Sequence, residues 1–190
     1  MWNLRIAALL VVAACGPETT SFRTTDRGDG TDRTGPPAAA YVVRMGGREV
    51  ANVHVSSNGG YIGSSGEPMT HVGFEIRNSA TTPVVFDSDA LRLVVIDKHG
   101  APLPPTAFTS VTPLGPAQVP IAAGATVALD AYFWLPVRPR VVDTMRVQWS
   151  LTSGDERYDQ TTSFVRDDDY PVIEPPPRRV DEGRLTRQTR

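Results

Sequence analysis

Three histidines, a single cysteine and a few methionines are the side chains in this 190-residue sequence best suited to nucleophilic or soft-metal chemistry. Nucleophilic catalysis needs a base beside the nucleophile and an orienting group behind it. His54, His71 and His99 are widely spaced, and none lies in a recognisable triad motif. His54 and His71 fall on the polar phase of alternating stretches and His99 falls in a turn, so all three read as solvated surface residues and no catalytic residue is expected. Copper or zinc could draw soft ligands from Met69-Thr70-His71 together with Met45 and His54. The paired His or Met clusters of a dedicated carrier are missing, so no cofactor is assigned, and His54, Met69 and His71 stand as the weak metal candidates. Asp87-Ser88-Asp89 looks like a piece of a calcium loop but lacks the glycine and the downstream bidentate glutamate, and reads as a turn. Asp167-Asp168-Asp169 reads as a solvated charge run. The glycine clusters precede a strand pattern rather than a helix, which excludes a phosphate loop.

The one cysteine, Cys15, stands where a hydrophobic leader ends. Arg5 supplies a positive start, and residues 6–14 form an unbroken apolar run ending in small side chains, the pattern of a secretory signal. As a helix such a run rises only about 14 Å, against the roughly 30 Å of a bilayer core, so it does not span one. Val12-Ala13-Ala14-Cys15 resembles a bacterial lipobox. The resemblance implies cleavage before Cys15, a diacylglyceryl thioether on its sulfur and an acyl chain such as palmitate on its new amino group. Each chain adds roughly 0.8 kcal/mol per buried methylene, and two or more hold a protein stably on a membrane. The expected address is the bacterial cell envelope, and Gly16 in place of Asp after the cysteine suggests the outer membrane. A lone thiol also excludes an internal disulfide and a cysteine metal cage.

The whole chain carries 19 basic and 21 acidic residues, a formal net charge of −2, and loss of Arg5 with the leader makes it one more negative. That is no electrostatic footprint for nucleic acid. Residues 15–40 are rich in Thr, Arg, Asp, Gly and Pro, with Phe22 as the only large apolar side chain, and read as a disordered lipidated tether. A flexible chain of this length reaches about 25–30 Å. Arg27-Gly28-Asp29 within it reads as spacer rather than as an integrin-type tripeptide. The 167–190 tail, with Pro175-Pro176-Pro177 and a charged end, reads as disordered, its triple proline stiff and extended.

Between them, 41–166 must supply the fold. No stretch sustains a helical period, whereas short β-branched and aromatic runs recur between Gly, Pro and Asn. Strands are expected over 41–45, 48–56, 70–78, 84–86, 90–97, 125–135, 144–152 and 156–165, with at most a short edge strand near 106–111 in a proline-rich segment. Val72, Phe74 and Ile76 share a face; so do Val127, Leu129, Ala131 and Phe133, and so do Met145, Val147, Trp149 and Leu151, with Tyr158, Thr162 and Phe164 opposite the last set. Asn58-Gly59-Gly60 and Gly63-Ser64-Ser65-Gly66 read as one flexible loop.

Seven to eight short strands with one apolar row each predict an all-β, antiparallel two-layer sandwich. Phe74-Glu75-Ile76-Arg77-Asn78, then Asp97-Lys98-His99-Gly100, then Ile121-Ala122-Ala123-Gly124 leading to Phe133-Trp134-Leu135-Pro136, resemble in that order the immunoglobulin-like (DUF4352-type) domains of secreted bacterial lipoproteins. The resemblance implies an immunoglobulin-like fold and carries no catalytic residues; the chain departs from antibody-type domains in having no cysteine pair and in core tryptophans that are expected late, at Trp134 and Trp149. The function expected is a non-enzymatic, membrane-anchored binding or structural module, meeting an envelope protein or polymer through the 58–67 loop or the 101–120 segment. A periplasmic copper- or zinc-binding protein is the alternative, and a protease-inhibitor-like sandwich the second.

Overall fold

The structure, a computed structural model, describes residues 18–25, 38–104, 108–112 and 117–168, the third of these as backbone. The leader, Cys15, the Arg27-Gly28-Asp29 tripeptide and the proline-rich tail beyond Asp168 lie outside the described residues.

Eleven strands form the fold: β1 (Phe22–Thr24), β2 (Ala38–Met45), β3 (Arg48–Ile62), β4 (Pro68–Asn78), β5 (Val84–Asp87), β6 (Arg92–Asp97), β7 (Phe108–Thr112), β8 (Gln118–Ile121), β9 (Thr126–Trp134), β10 (Val142–Ser153) and β11 (Glu156–Arg166). They pair antiparallel in two sheets. One runs β2-β3-β4-β9-β7; the other runs β1-β11-β10-β5-β8, with β6 also on β10. This is the all-β sandwich the alternation requires, with more strands than the seven to eight expected. The surplus comes from β1 and β8, which are short or interrupted by proline and carry little periodic signal, while β7 is the short edge strand expected near 106–111.

The inward rows are those read from the pattern. Val72, Phe74 and Ile76 on β4, Leu129, Ala131 and Phe133 on β9, and Met145, Val147, Trp149 and Leu151 on β10 are all buried in one core. Trp149 is its centre: its ring packs edge-on against Tyr41 at 5.4 Å and Phe74 at 6.2 Å, and lies 5.8 Å from Tyr158. Its indole Nε1 donates to Thr162 Oγ1 at 3.0 Å, and Tyr41 Oη donates to the same oxygen at 2.9 Å, so the buried polar tips satisfy one another across the two layers.

One edge of β10 is shared. β6 pairs with residues 142–148 and β5 with 151–152, the Ser88–Ala90 turn sitting where they meet. Asp87 caps that turn, its carboxylate accepting from the amides of Asp89 and Ala90, as expected of a turn rather than a calcium loop. Asp97 closes the next turn by accepting from His99 N and Ala101 N, and these two amides hold its carboxyl below the usual range.

Asn78, buried where β4 ends, joins two motifs that looked separate in sequence. Its Nδ2 donates to the carbonyls of Thr82 and Ile121, its Oδ1 accepts from Ala80 N, and its backbone bonds the Gly124 and Ala125 amide and carbonyl. Asn78→Ala leaves those buried groups unpaired and is expected to cost about 2 kcal/mol, read as a lower urea midpoint with an unchanged m-value.

Two expectations are corrected. The 58–60 stretch is not a loop: β3 runs on through it to Ile62, with a bulge between Ser57 and Gly59, and only 63–67 turns the hairpin into β4. The start of the supposed tether is docked as well. Thr20 exchanges both backbone hydrogen bonds with Gly60 on β3, at 2.8 and 2.7 Å, and three residues of β1 then pair with β11 in the other sheet. Phe22 is buried to 1% exposure between the layers. A single Phe in polar surroundings cannot build a core, but it can fill a gap in one that already exists, worth about 1.5–3 kcal/mol. β2 covers the edge of β3 only to Ser56, and Thr20 takes the next stretch.

Candidate functional site

The outer face of the β3-β4-β9 sheet collects most of the chemically able side chains. Register places Tyr61, Met69 and Trp134 in one row across it, His71 and Tyr132 in the next, and Ser56, Gly73 and Asp130 in a third. Alternation puts His71 on the polar phase, yet it is only 3% exposed, so the expectation of a solvated histidine fails for it; His54 and His99 are exposed. The reason lies in the neighbours. Tyr132 packs at a tilt with its ring centre 5.0 Å from that of the imidazole, and Gly73 leaves the space beside it open, since a Cβ there would lie 3.5 Å from His71 Cε1.

His71 Nε2 lies 2.8 Å from Asp130 Oδ1, and Nδ1 is buried with no hydrogen-bond partner among the described residues. Ser56 Oγ closes over the same glycine, 3.2 Å from where a Cβ would be, so Ser, His and Asp lie together. The arrangement is not that of a working triad. The carboxylate takes Nε2, and the remaining nitrogen is sealed from solvent, so neither is placed to accept a proton from a bound substrate.

The metal candidates separate. Met69 and His71 are neighbours on one face of β4, both buried. His54 pairs with Glu75, four residues farther along the strand, which is about 13 Å at 3.3 Å per residue. Met45 ends β2 inside the core. Among the described residues no three His, Cys, Asp or Glu side chains gather to hold an ion. On the other sheet, a shallow groove of about 530 Å³ is lined by Ala90, Gln148, Arg157, Asp159, Gln160 and Thr161. Asp159 holds the Arg157 guanidinium at 2.8 Å, with Asp87 at 3.8 Å, and so pushes its pKa up; the cation is already committed to protein carboxylates.

No family model matches the sequence, and no curated protein matches it. Among solved structures the chain is similar to a FixG-related protein from Vibrio parahaemolyticus, with 12% identity over 63% of this chain and 99% of that one and a TM-score of 0.40. At that score the likeness identifies no role.

The residues that sequence reasoning missed lie at one end of the sandwich. Trp134, expected in the core, is 49% exposed. The signal was present: Phe133 shares the inward row with Leu129 and Ala131, so the next residue must point out. Beyond it, the Pro139–Val141 turn displays Val141 at 40% exposure and places Arg138 and Arg140 against Glu18, at 3.1 and 3.4 Å. The 63–67 hairpin turn lies at this same end, next to Pro68 and Leu135. Of the other expected contact region, Pro102 bridges to Ile96, β7 edges one sheet and β8 edges the other, so that segment is a crossover between layers rather than one loop.

Proposed function

We propose that the protein is a lipid-anchored cell-envelope lipoprotein whose immunoglobulin-like sandwich serves as a non-enzymatic binding or structural module. The observation that carries this reading is the position of the chain's single cysteine, Cys15, directly after a charged start and an apolar run ending Val12-Ala13-Ala14. The described chain supports it in a second way: on the outer sheet His71 is tied to Asp130 through one ring nitrogen and its other nitrogen is buried, an arrangement suited to holding the sheet rather than to proton transfer. The partner is an envelope protein or polymer met through loops at the sandwich ends, where such folds carry recognition.

Cys15→Ser removes the acyl acceptor while leaving every residue of the sandwich in place. With metabolic palmitate labelling in a bacterial host, the wild-type chain is expected to carry label and to sediment with membranes, and the variant to lose both. Equal membrane association of an unlabelled variant would remove the anchor from this reading.

A further inference from the structure

Residues 18–25 are bonded to both sheets, and this fixes where an acyl group on Cys15 can leave the domain. Cys15 precedes Glu18 by three residues, which span at most about 11 Å fully extended. Glu18 itself is held by Arg138 and Arg140. The anchor therefore emerges beside the Pro139–Val141 turn, and the far end of the sandwich stands roughly 35 Å away, the length of an eleven-residue strand. The intervening chain is far too short to let the domain stand off from the lipid.

Resting on the lipoprotein reading above, we infer that this end of the sandwich is seated on the phospholipid headgroup layer, with Trp134 and Val141 as its contact residues. The side chains exposed there are of the right kind. A half-exposed tryptophan is an interfacial anchor, apolar in body with a polar N–H, and belongs at headgroup level. Tyr61 lies in the same row as Trp134, one strand beyond Met69. Arg138 and Arg140 are 64% and 65% exposed, and although both are paired with Glu18 their long apolar stems lie open at this end. Glu67, Asp143 and Asp168 lie at this end too, so the face is no cationic patch. Contact is driven by the tether and by Trp134, and depends little on salt.

The sequence provides its own probe. It contains Trp2, Trp134 and Trp149; Trp2 leaves with the leader, and Trp149 is buried. The full processed protein, expressed with its own leader, is weighed by mass spectrometry and reconstituted into phosphatidylethanolamine–phosphatidylglycerol vesicles brominated near the headgroup. Emission from Trp134 is expected to be lost to bromine quenching, the blue-shifted Trp149 emission to persist, and the quenched component to vanish in Trp134→Phe. Acylated, vesicle-bound protein whose emission the brominated lipid leaves unchanged overturns this seating and leaves the anchor standing. A mass showing bare Cys15 overturns both.

Discussion

Trp149→Ala is expected to destabilise the domain by about 3–5 kcal/mol, the range for removing a buried tryptophan. Domains of this size are stable by only about 5–15 kcal/mol, so much of the folded margin goes with one ring. The effect is large because Trp149 meets both layers. It lies against Tyr41 and Phe74 of one sheet and Tyr158 of the other, and its loss also leaves Thr162 Oγ1 without the indole donor. With a urea m-value of about 2 kcal/mol per molar, the unfolding midpoint should fall by about 2 M. Thr162→Val separates packing from hydrogen bonding. It preserves shape but removes the oxygen to which the indole N–H and the Tyr41 hydroxyl donate, and should cost about 1–3 kcal/mol. A Trp149→Ala midpoint within 0.5 M of wild type, a shift of about 1 kcal/mol at that slope, would mean that the two layers do not meet through this residue.

Gly59→Ala is expected to release residues 18–25 from the sandwich while the remainder stays folded. Gly59 has φ +97°, where a side chain is strained by about 1–3 kcal/mol, and an added Cβ would stand 2.4 Å from the Thr20 carbonyl oxygen. That oxygen is backbone and is itself bonded to Gly60 N, so no rotamer relieves the overlap. Docking of the segment rests mainly on Phe22 and a few backbone bonds, its ion pairs being exposed and worth little. Strain and docking energy are therefore of the same size, and detachment is the easier escape. Hydrogen exchange should show lost protection at the Thr20, Gly60 and Thr25 amides and retained protection along β10. Gly66→Ala is the control, because Gly66 has φ +90° but nothing within 4 Å of its Cβ position. It should strain the hairpin turn and leave the segment docked. On vesicles, an anchor at Cys15 of the kind proposed above would then hold the domain through a longer released segment, and Gly59→Ala should relieve Trp134 quenching.

These two residues mark the boundary of what was legible in the sequence. Strand alternation identified the core rows on β4, β9, β10 and β11, because in a sheet with one wet face the period of two is written directly into residue type. Trp149 belongs to such a row. Gly59 does not: next to Asn58 and Gly60 it carries the composition of a loop, and only the approach of a distant backbone shows that the glycine is there for room. The same limit hid β1, since Phe22 has no apolar neighbours at strand spacing and its partners are supplied by β3 and β11. His71 was misplaced for a related reason. Phase assigns a face, but burial on that face depends on Tyr132 and Asp130, which come from another strand. Of the candidate site, Met69 and His71 were visible as neighbours, while Asp130, Trp134 and the arginines of the Pro139–Val141 turn were not.

The pairing of Phe22 with Arg166 has a consequence for the order of events during folding. The first described strand is synthesised long before the last, and although Thr20 can meet Gly60 once β3 has formed, its strand partner is missing until β11 lies on β10. The N-terminal segment thus gains its full set of contacts only when the hairpin of β10 and β11 has formed. Such a long-range closure is slow and comes late. A chain truncated before β11 would leave Phe22 without the strand it pairs with and its apolar ring exposed.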